Sequence, residues 1–287
     1  MMTAGPDRFS GFVAIDWSGA QGVSHKGIAM AHCAAGTAAP TLIAPPGRAW
    51  SRQGVADWLL ERADEPLLIG FDFSFSAPFI ERGAHLPGDR PTPDAHALWT
   101  HVEQSCDDPD LGARSFLEAR RGRHFYFGAA DGRKADFLHW RRCEVAGGGA
   151  RKPSTVYDAI GASQVAKASF AGMRLLHRLD GRIAVWPFDP VPSRGAVVVE
   201  IYTAIAARDA GRPRGRSKMR GAGALDAALS QLGSQAHRPL PAYDDHSTDA
   251  ILTSAWLRTV AARDDLWHPP GLTAQIAQTE GWTFGVA

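Results

Sequence analysis

Cysteine is nearly missing from this chain. The three present, Cys33, Cys106 and Cys143, are odd in number, far apart and form no CxxC pair. That excludes a zinc knuckle and a disulfide framework and leaves reduced, structural thiols. No apolar run approaches the ~20 residues of a membrane-spanning helix, so no membrane partner is expected. The opening MMTAGPDRFS has no apolar signal core, which makes the cytoplasm the expected location. A dominant charge sign is also lacking: the net charge is +1, and bulk charge therefore does not mark a nucleic-acid binder. No GxxxxGK segment occurs, so a Walker-type nucleotide site is not expected.

What is present is an ordinary globular composition, 45% hydrophobic and 21% charged over 287 residues, enough to bury a large core. The sequence reads as one domain, residues 1–287, with an insertion at about 75–155. Charge is unevenly spread. Residues 57–110 hold 12 acids against 3 Lys/Arg, residues 114–152 hold 10 Lys/Arg against 4 acids, and residues 208–220 hold 6 against 1. The two basic segments are candidate surfaces for nucleic acid; equally, their charges can meet the acidic segment.

Apolar patterning sets the order of elements. GFVAID, KGIAMAHCAA and APTLIAPP read as three strands joined by short turn-rich links, hence an antiparallel meander. SRQGVADWLLERAD carries Val55, Trp58 and Leu59 at helical spacing, with Ser51 as a cap. PLLIGFDF is continuously apolar, as a strand covered on both faces must be. Helices are predicted at DAHALWTHVEQSC, over 161–179, at ALDAALSQL and at DDHSTDAILTSAWLRTVAARDD, with further strands at IAVWPF and AVVVEIYTAIA. This is an α/β pattern: three antiparallel strands, then parallel strands, flanked by helices.

Acids stand where apolar runs end. Asp16 closes FVAID, Asp72 closes LLIGFD, and Glu200 closes VVVE. If the first, fourth and fifth strands lie side by side, about 4.8 Å apart, three carboxylates crowd at one edge. Each like-charge pair at ~5 Å costs roughly 3 kcal/mol at an effective dielectric near 20, and a divalent cation turns that repulsion into binding. Asp245 and Asp249 are four apart on the last long helix, where Leu252 and Trp256 continue the inward stripe. Each acid has a plain structural reading as well. Asp16 can serve the turn before Ser-Gly, Asp72 can bond its own loop, and Glu200 can pair with a basic-loop arginine. Asp244 and Asp245 can cap their helix. His246 reads as a surface helix residue, and His32 as packing beside Cys33.

The set VAIDWSGA, IGFDFSFSAPF, QVAKASFAGMRLLHRL, AVWPFD, VVVEIYTA, DDHSTDAILTSAWL and the closing EGWTFGV resembles the family known as domain of unknown function 429, regarded as predicted nucleases with a ribonuclease H-like fold. The resemblance covers most of the chain in order. It implies a ribonuclease H-like mixed sheet with Asp16 on the first strand, Asp72 on the fourth, Glu200 on the fifth and the helix aspartates beside them. It implies metal-dependent phosphodiester hydrolysis, with Asp16, Asp72, Glu200 and Asp249 catalytic. Those four, with Asp245, would hold Mg²⁺ or Mn²⁺. His246 and Lys152 are candidates for proton movement or phosphate contact, and Phe125, Tyr126 and Phe127 either stack on bases or form the insertion's core. The sequence departs from the family at Thr203, where Pro is common. Two alternatives stand beside the nuclease: an actin- or sugar-kinase-like ATP-binding phosphotransferase, for which DWSGA and AGGGA (146–150) are the candidate phosphate loops, and a non-catalytic nucleic-acid-binding scaffold.

Overall fold

The computed structural model describes residues 8–147, 154–160, 165–213 and 218–287. Among these residues the strands are β1 (Gly11–Asp16), β2 (Ala29–Ala34), β3 (Thr41–Leu42), β4 (Leu67–Phe71), β5 (Ala184–Trp186) and β6 (Val197–Glu200). The helices are α1 (Arg52–Glu61), α2 (Ala95–Gln104), α3 (Arg114–Glu118), α4 (Arg142–Ala146), α5 (Val165–Leu179), α6 (Thr203–Asp209), α7 (Ala222–Gln231), α8 (Asp245–Val260), α9 (Asp264–Trp267) and α10 (Ala274–Thr279). The strands form one six-stranded sheet in the order β3-β2-β1-β4-β6-β5. β1 and β3 run antiparallel to β2, while β4, β6 and β5 continue parallel from β1.

The two-residue period of a strand divides the central apolar runs between two cores. Val13, Ile15, Ile69, Phe71 and Val198 pack with α1, α2 and α5 through Leu59, Trp99 and Phe170. Phe12, Ala14, Leu68, Val197 and Val199 pack with α6, α7 and α8 through Ala206, Leu229 and Trp256. Neither face of the central strands meets water, which is why their sequences do not alternate. Ser51 caps α1 by accepting from Gly54 N at 2.9 Å. Asp244 caps α8 by accepting from Ser247 N at 2.8 Å.

Two details differ from the sequence reading. The third strand is only Thr41–Leu42, because the prolines at 40, 45 and 46 withhold ladder donors on either side. Glu200 ends the sixth strand rather than the fifth. The fully buried β6 takes the inner place beside β4, and the three-residue β5 takes the edge. The stretch between β4 and α5 carries α2, α3 and α4 and joins the α5 core: Phe116 stacks on Phe170, and Phe125 meets both rings. The predicted helix at 161–179 is described from Val165 onward; 161–164 lie outside the described residues. No helix among those described is long and apolar enough to cross a membrane.

α5 lies close against the residue that follows Asp72. A Cβ on Gly172 would sit 2.3 Å from the Phe73 ring, so only glycine permits this approach. Gly172→Ala is expected to cost about 1–3 kcal/mol through overpacking. Gly223→Ala, in α7 with open space around it, is expected to stabilise by about 0.5–1 kcal/mol. Urea unfolding midpoints of the two variants should therefore move in opposite directions.

Candidate active site

Parallel pairing of β1 with β4 brings Asp16 and Asp72 to the same edge of the sheet. Asp16 is the last residue of β1, and Asp72 follows β4, its N–H donating to Ile15 O at 3.1 Å. The loops beyond them are held by α5. Trp17 Nε1 donates to Ala168 O at 3.1 Å, and Ser74 N donates to Ser169 Oγ at 3.1 Å. A Cβ on Gly19 would fall 2.2 Å from the Lys167 carbonyl carbon. The fully buried Arg52 donates to Ser18 O at 2.9 Å and to Ala20 O, fixing the DWSGA turn from the other side. α8 supplies Asp249 and Asp245. All five predicted acids line one cleft of about 1510 Å³.

The cleft does not treat the five acids alike. Glu200 is buried and spent on an ion pair: Arg141 Nη1 donates to Oε2 at 2.7 Å and Nη2 to Oε1 at 2.5 Å. Phe75 N and Thr283 Oγ1 each add a donor at 2.7 Å. Of the two readings of Glu200, catalytic metal ligand or partner of a basic-segment arginine, the structure shows the arginine pair, and both of its oxygens accept hydrogen bonds. Asp245 is likewise paired, with Lys218 and, at 3.6 Å, with Arg220.

Asp16, Asp72 and Asp249 have no Lys or Arg partner among the described residues. Asp16 Oδ1 meets His246 Nδ1 at 3.0 Å, so His246 is half-exposed yet turned to the site. Asp72 Oδ2 accepts from Thr203 Oγ1 at 3.1 Å, which gives Thr203 a contact with the site. Burial, then the charges of Asp16, Asp249 and Glu200, push Asp72 up to about 8 against the opposing Thr203 bond. Burial, Asp16 and Asp245 push Asp249 up to about 7. Asp16 is raised by burial despite His246, and the bond to Asp16 raises His246 in turn.

In donor chemistry the three aspartates suit a hard divalent cation: all are oxygen ligands, and none is paired with a Lys or Arg among the described residues. In spacing they do not yet form a ligand set. Among the described residues no group of three or more His, Cys, Asp or Glu side chains stands where it could hold a metal ion. No family model matches this chain, and neither a curated protein nor a solved structure matches it.

The basic segments mostly answer the chain's own acids. Each of the eight Lys and Arg described between 114 and 147 has a carboxylate within 4.0 Å. Arg120 and Arg123, for example, share Asp89. Lys152 and Gly148–Ala150 lie outside the described residues, as do Arg214 and Arg216 of the second segment. Of the three insertion aromatics, Phe125 is fully buried; Tyr126 and Phe127 are half-buried under Lys134 and Arg121. The three cysteines are free, and burial pushes Cys106 up to about 11 and Cys143 to about 12, as expected of unreactive thiols.

Sequence reasoning missed Arg141, Arg52 and the role of the closing EGWTFGV. Thr283 and Phe284 N bond Glu200, and Glu280 accepts from Phe79 N, Ile80 N and Arg142 N. The available signals were Arg141 within a basic run and Glu280 in an otherwise apolar C-terminal segment.

Arg141→Ala leaves a buried carboxylate uncompensated and is expected to cost about 3–5 kcal/mol. The double variant Arg141→Met/Glu200→Gln should lose less, measured by chemical unfolding.

Asp72 folds with its carboxyl pKa raised from 3.8 to about 8. The native state then binds more protons than the unfolded chain, so stability falls as pH rises through that window. Asp72→Asn should therefore raise the melting temperature increasingly from pH 4 to pH 8, with little gain at the acid end. A gain independent of pH would contradict the assignment.

Proposed function

We propose that this chain is a divalent-cation-dependent phosphodiesterase, a nuclease built on a ribonuclease H-like sheet and related to the domain of unknown function 429 family. The observation that carries the reading is the set of three aspartates, Asp16, Asp72 and Asp249. They come from two adjacent parallel strand ends and a long helix and line one cleft; burial raises all three carboxyls, the charge of Asp16 adds to it at Asp72 and Asp249, and no Lys or Arg among the described residues pairs with any of them. Folds discard such repulsion unless function uses it. The β-β-β-α-β order with three antiparallel strands leading into parallel ones supports the same reading.

Asp16, Asp72 and Asp249 would hold Mg²⁺ or Mn²⁺, which when bound lowers the pKa of water and neutralises charge on a phosphodiester. The remaining residues orient this trio. Thr203 fixes one oxygen of Asp72, and His246 fixes one oxygen of Asp16. α5 and Arg52 keep the Asp16 loop in place. Glu200, neutralised by Arg141, ties the end of β6 to the Phe75 backbone beside the Asp72 loop. Asp245 steers Lys218 and Arg220 at the rim.

The phosphotransferase alternative calls for two copies of the fold, and the described residues build one sheet. The scaffold alternative has no need of converging carboxylates, and the cleft brings five acids to its lining.

Mn²⁺ is expected to raise the melting temperature in a concentration-dependent way, and Asp72→Asn and Asp249→Asn should each lose that response. Mn²⁺-stimulated cleavage of nucleic acid should vanish in Asp72→Asn while the variant stays folded. Undiminished cleavage by folded Asp72→Asn would overturn the site.

A further inference from the structure

Tyr202 is an aromatic that neither the motifs nor the acid cluster absorbs. It follows the end of β6 at the N-cap of α6 and is 46% exposed, the one aromatic among the exposed large hydrophobic side chains of the described residues. Its hydroxyl makes no hydrogen bond among those residues. It lines the same cleft as Asp72 and feels that carboxylate, since burial and then Asp72 raise its phenol above the ordinary value. Thr203, the next residue, bonds Asp72 directly.

Cations stand elsewhere on the cleft lining. Arg208, Lys218 and Arg263 have side chains 55%, 61% and 52% exposed. Each meets an aspartate: Asp209, Asp245 and Asp265 respectively. Exposed pairs of this kind add little net attraction in water, so a phosphate can compete for them. The cleft lining thus combines three features: acids, a half-exposed aromatic, and exposed cations. An acidic peptide would use the cations and ignore the ring. A duplex keeps its base faces stacked within itself. An unpaired strand offers a base face and phosphates together.

We propose that Tyr202 stacks on an unpaired base of a nucleic-acid strand whose phosphates contact Arg208, Lys218 and Arg263, which sets one of its phosphodiesters beside Asp72. The substrate class is then single-stranded DNA or RNA. This rests on the phosphodiesterase reading and names its substrate.

The test is fluorescence anisotropy with short labelled single strands of DNA and of RNA, a matching duplex, and a strand carrying abasic sites, all in the Asp72→Asn background so that the strand is not consumed. Tyr202→Ala should weaken single-strand binding by about 5- to 150-fold, the loss of one base stack, while Tyr202→Phe stays within about twofold. The abasic strand should bind more weakly than the intact one and show no effect of Tyr202→Ala; its comparison with the intact strand needs no change at Tyr202. The stack is supported by the loss on either sugar, and the tighter arm identifies DNA or RNA. Unchanged affinity in folded Tyr202→Ala, equal binding of the abasic strand, or preference for the duplex would each overturn the stack. If the wild type still cleaves with Mn²⁺ in any of those cases, only the stacking assignment falls. If no strand is bound or cleaved by any form, the phosphodiesterase reading falls with it.

Discussion

Arg141 reaches from the insertion to the end of β6 and closes both oxygens of Glu200. Four parts of the chain meet there: the insertion, the loop after β4 through Phe75 N, the sheet, and the C-terminal segment through Thr283 and Phe284 N. A buried carboxylate is tolerable only because the guanidinium and these donors replace its water. The pair also decides the character of the cleft. With Glu200 and Asp245 matched to cations, Asp16, Asp72 and Asp249 are left without a Lys or Arg partner among the described residues, and burial, reinforced by neighbouring carboxylates, raises the pKa of each.

That difference separates the parts that stabilise the fold from the parts that strain it. Beside the cores, Arg52, itself buried, donates to the Ser18, Ala20 and Asp110 carbonyls. The aspartate trio has hydrogen bonds at two of its members and an opposing field at all three.

The legible part of the site was local. Apolar runs ending in an acid located Asp16 and Asp72, and helical spacing with Leu252 and Trp256 located Asp249. The illegible part was pairing. Glu200 and Arg141 are 59 residues apart, and Asp245 and Lys218 are 27 apart, beyond the reach of any local sequence pattern. Phe125 and Tyr202 carry similar rings in sequence, yet the first lies under α5 and the second at the cleft. No composition rule separates them.

The sequence by itself determined the elements whose signal is a short period: central strands apolar throughout because both faces are covered, capped helices such as α1 and α8, and a sheet that begins antiparallel and turns parallel. Only the tertiary structure decided that β6 lies inside β5, which acids the described cations of the insertion meet, and which carboxylates of the cleft have no Lys or Arg partner among the described residues. Period and capping depend on neighbours a few residues away, whereas Coulomb energy and burial depend on distances set when remote segments pack together.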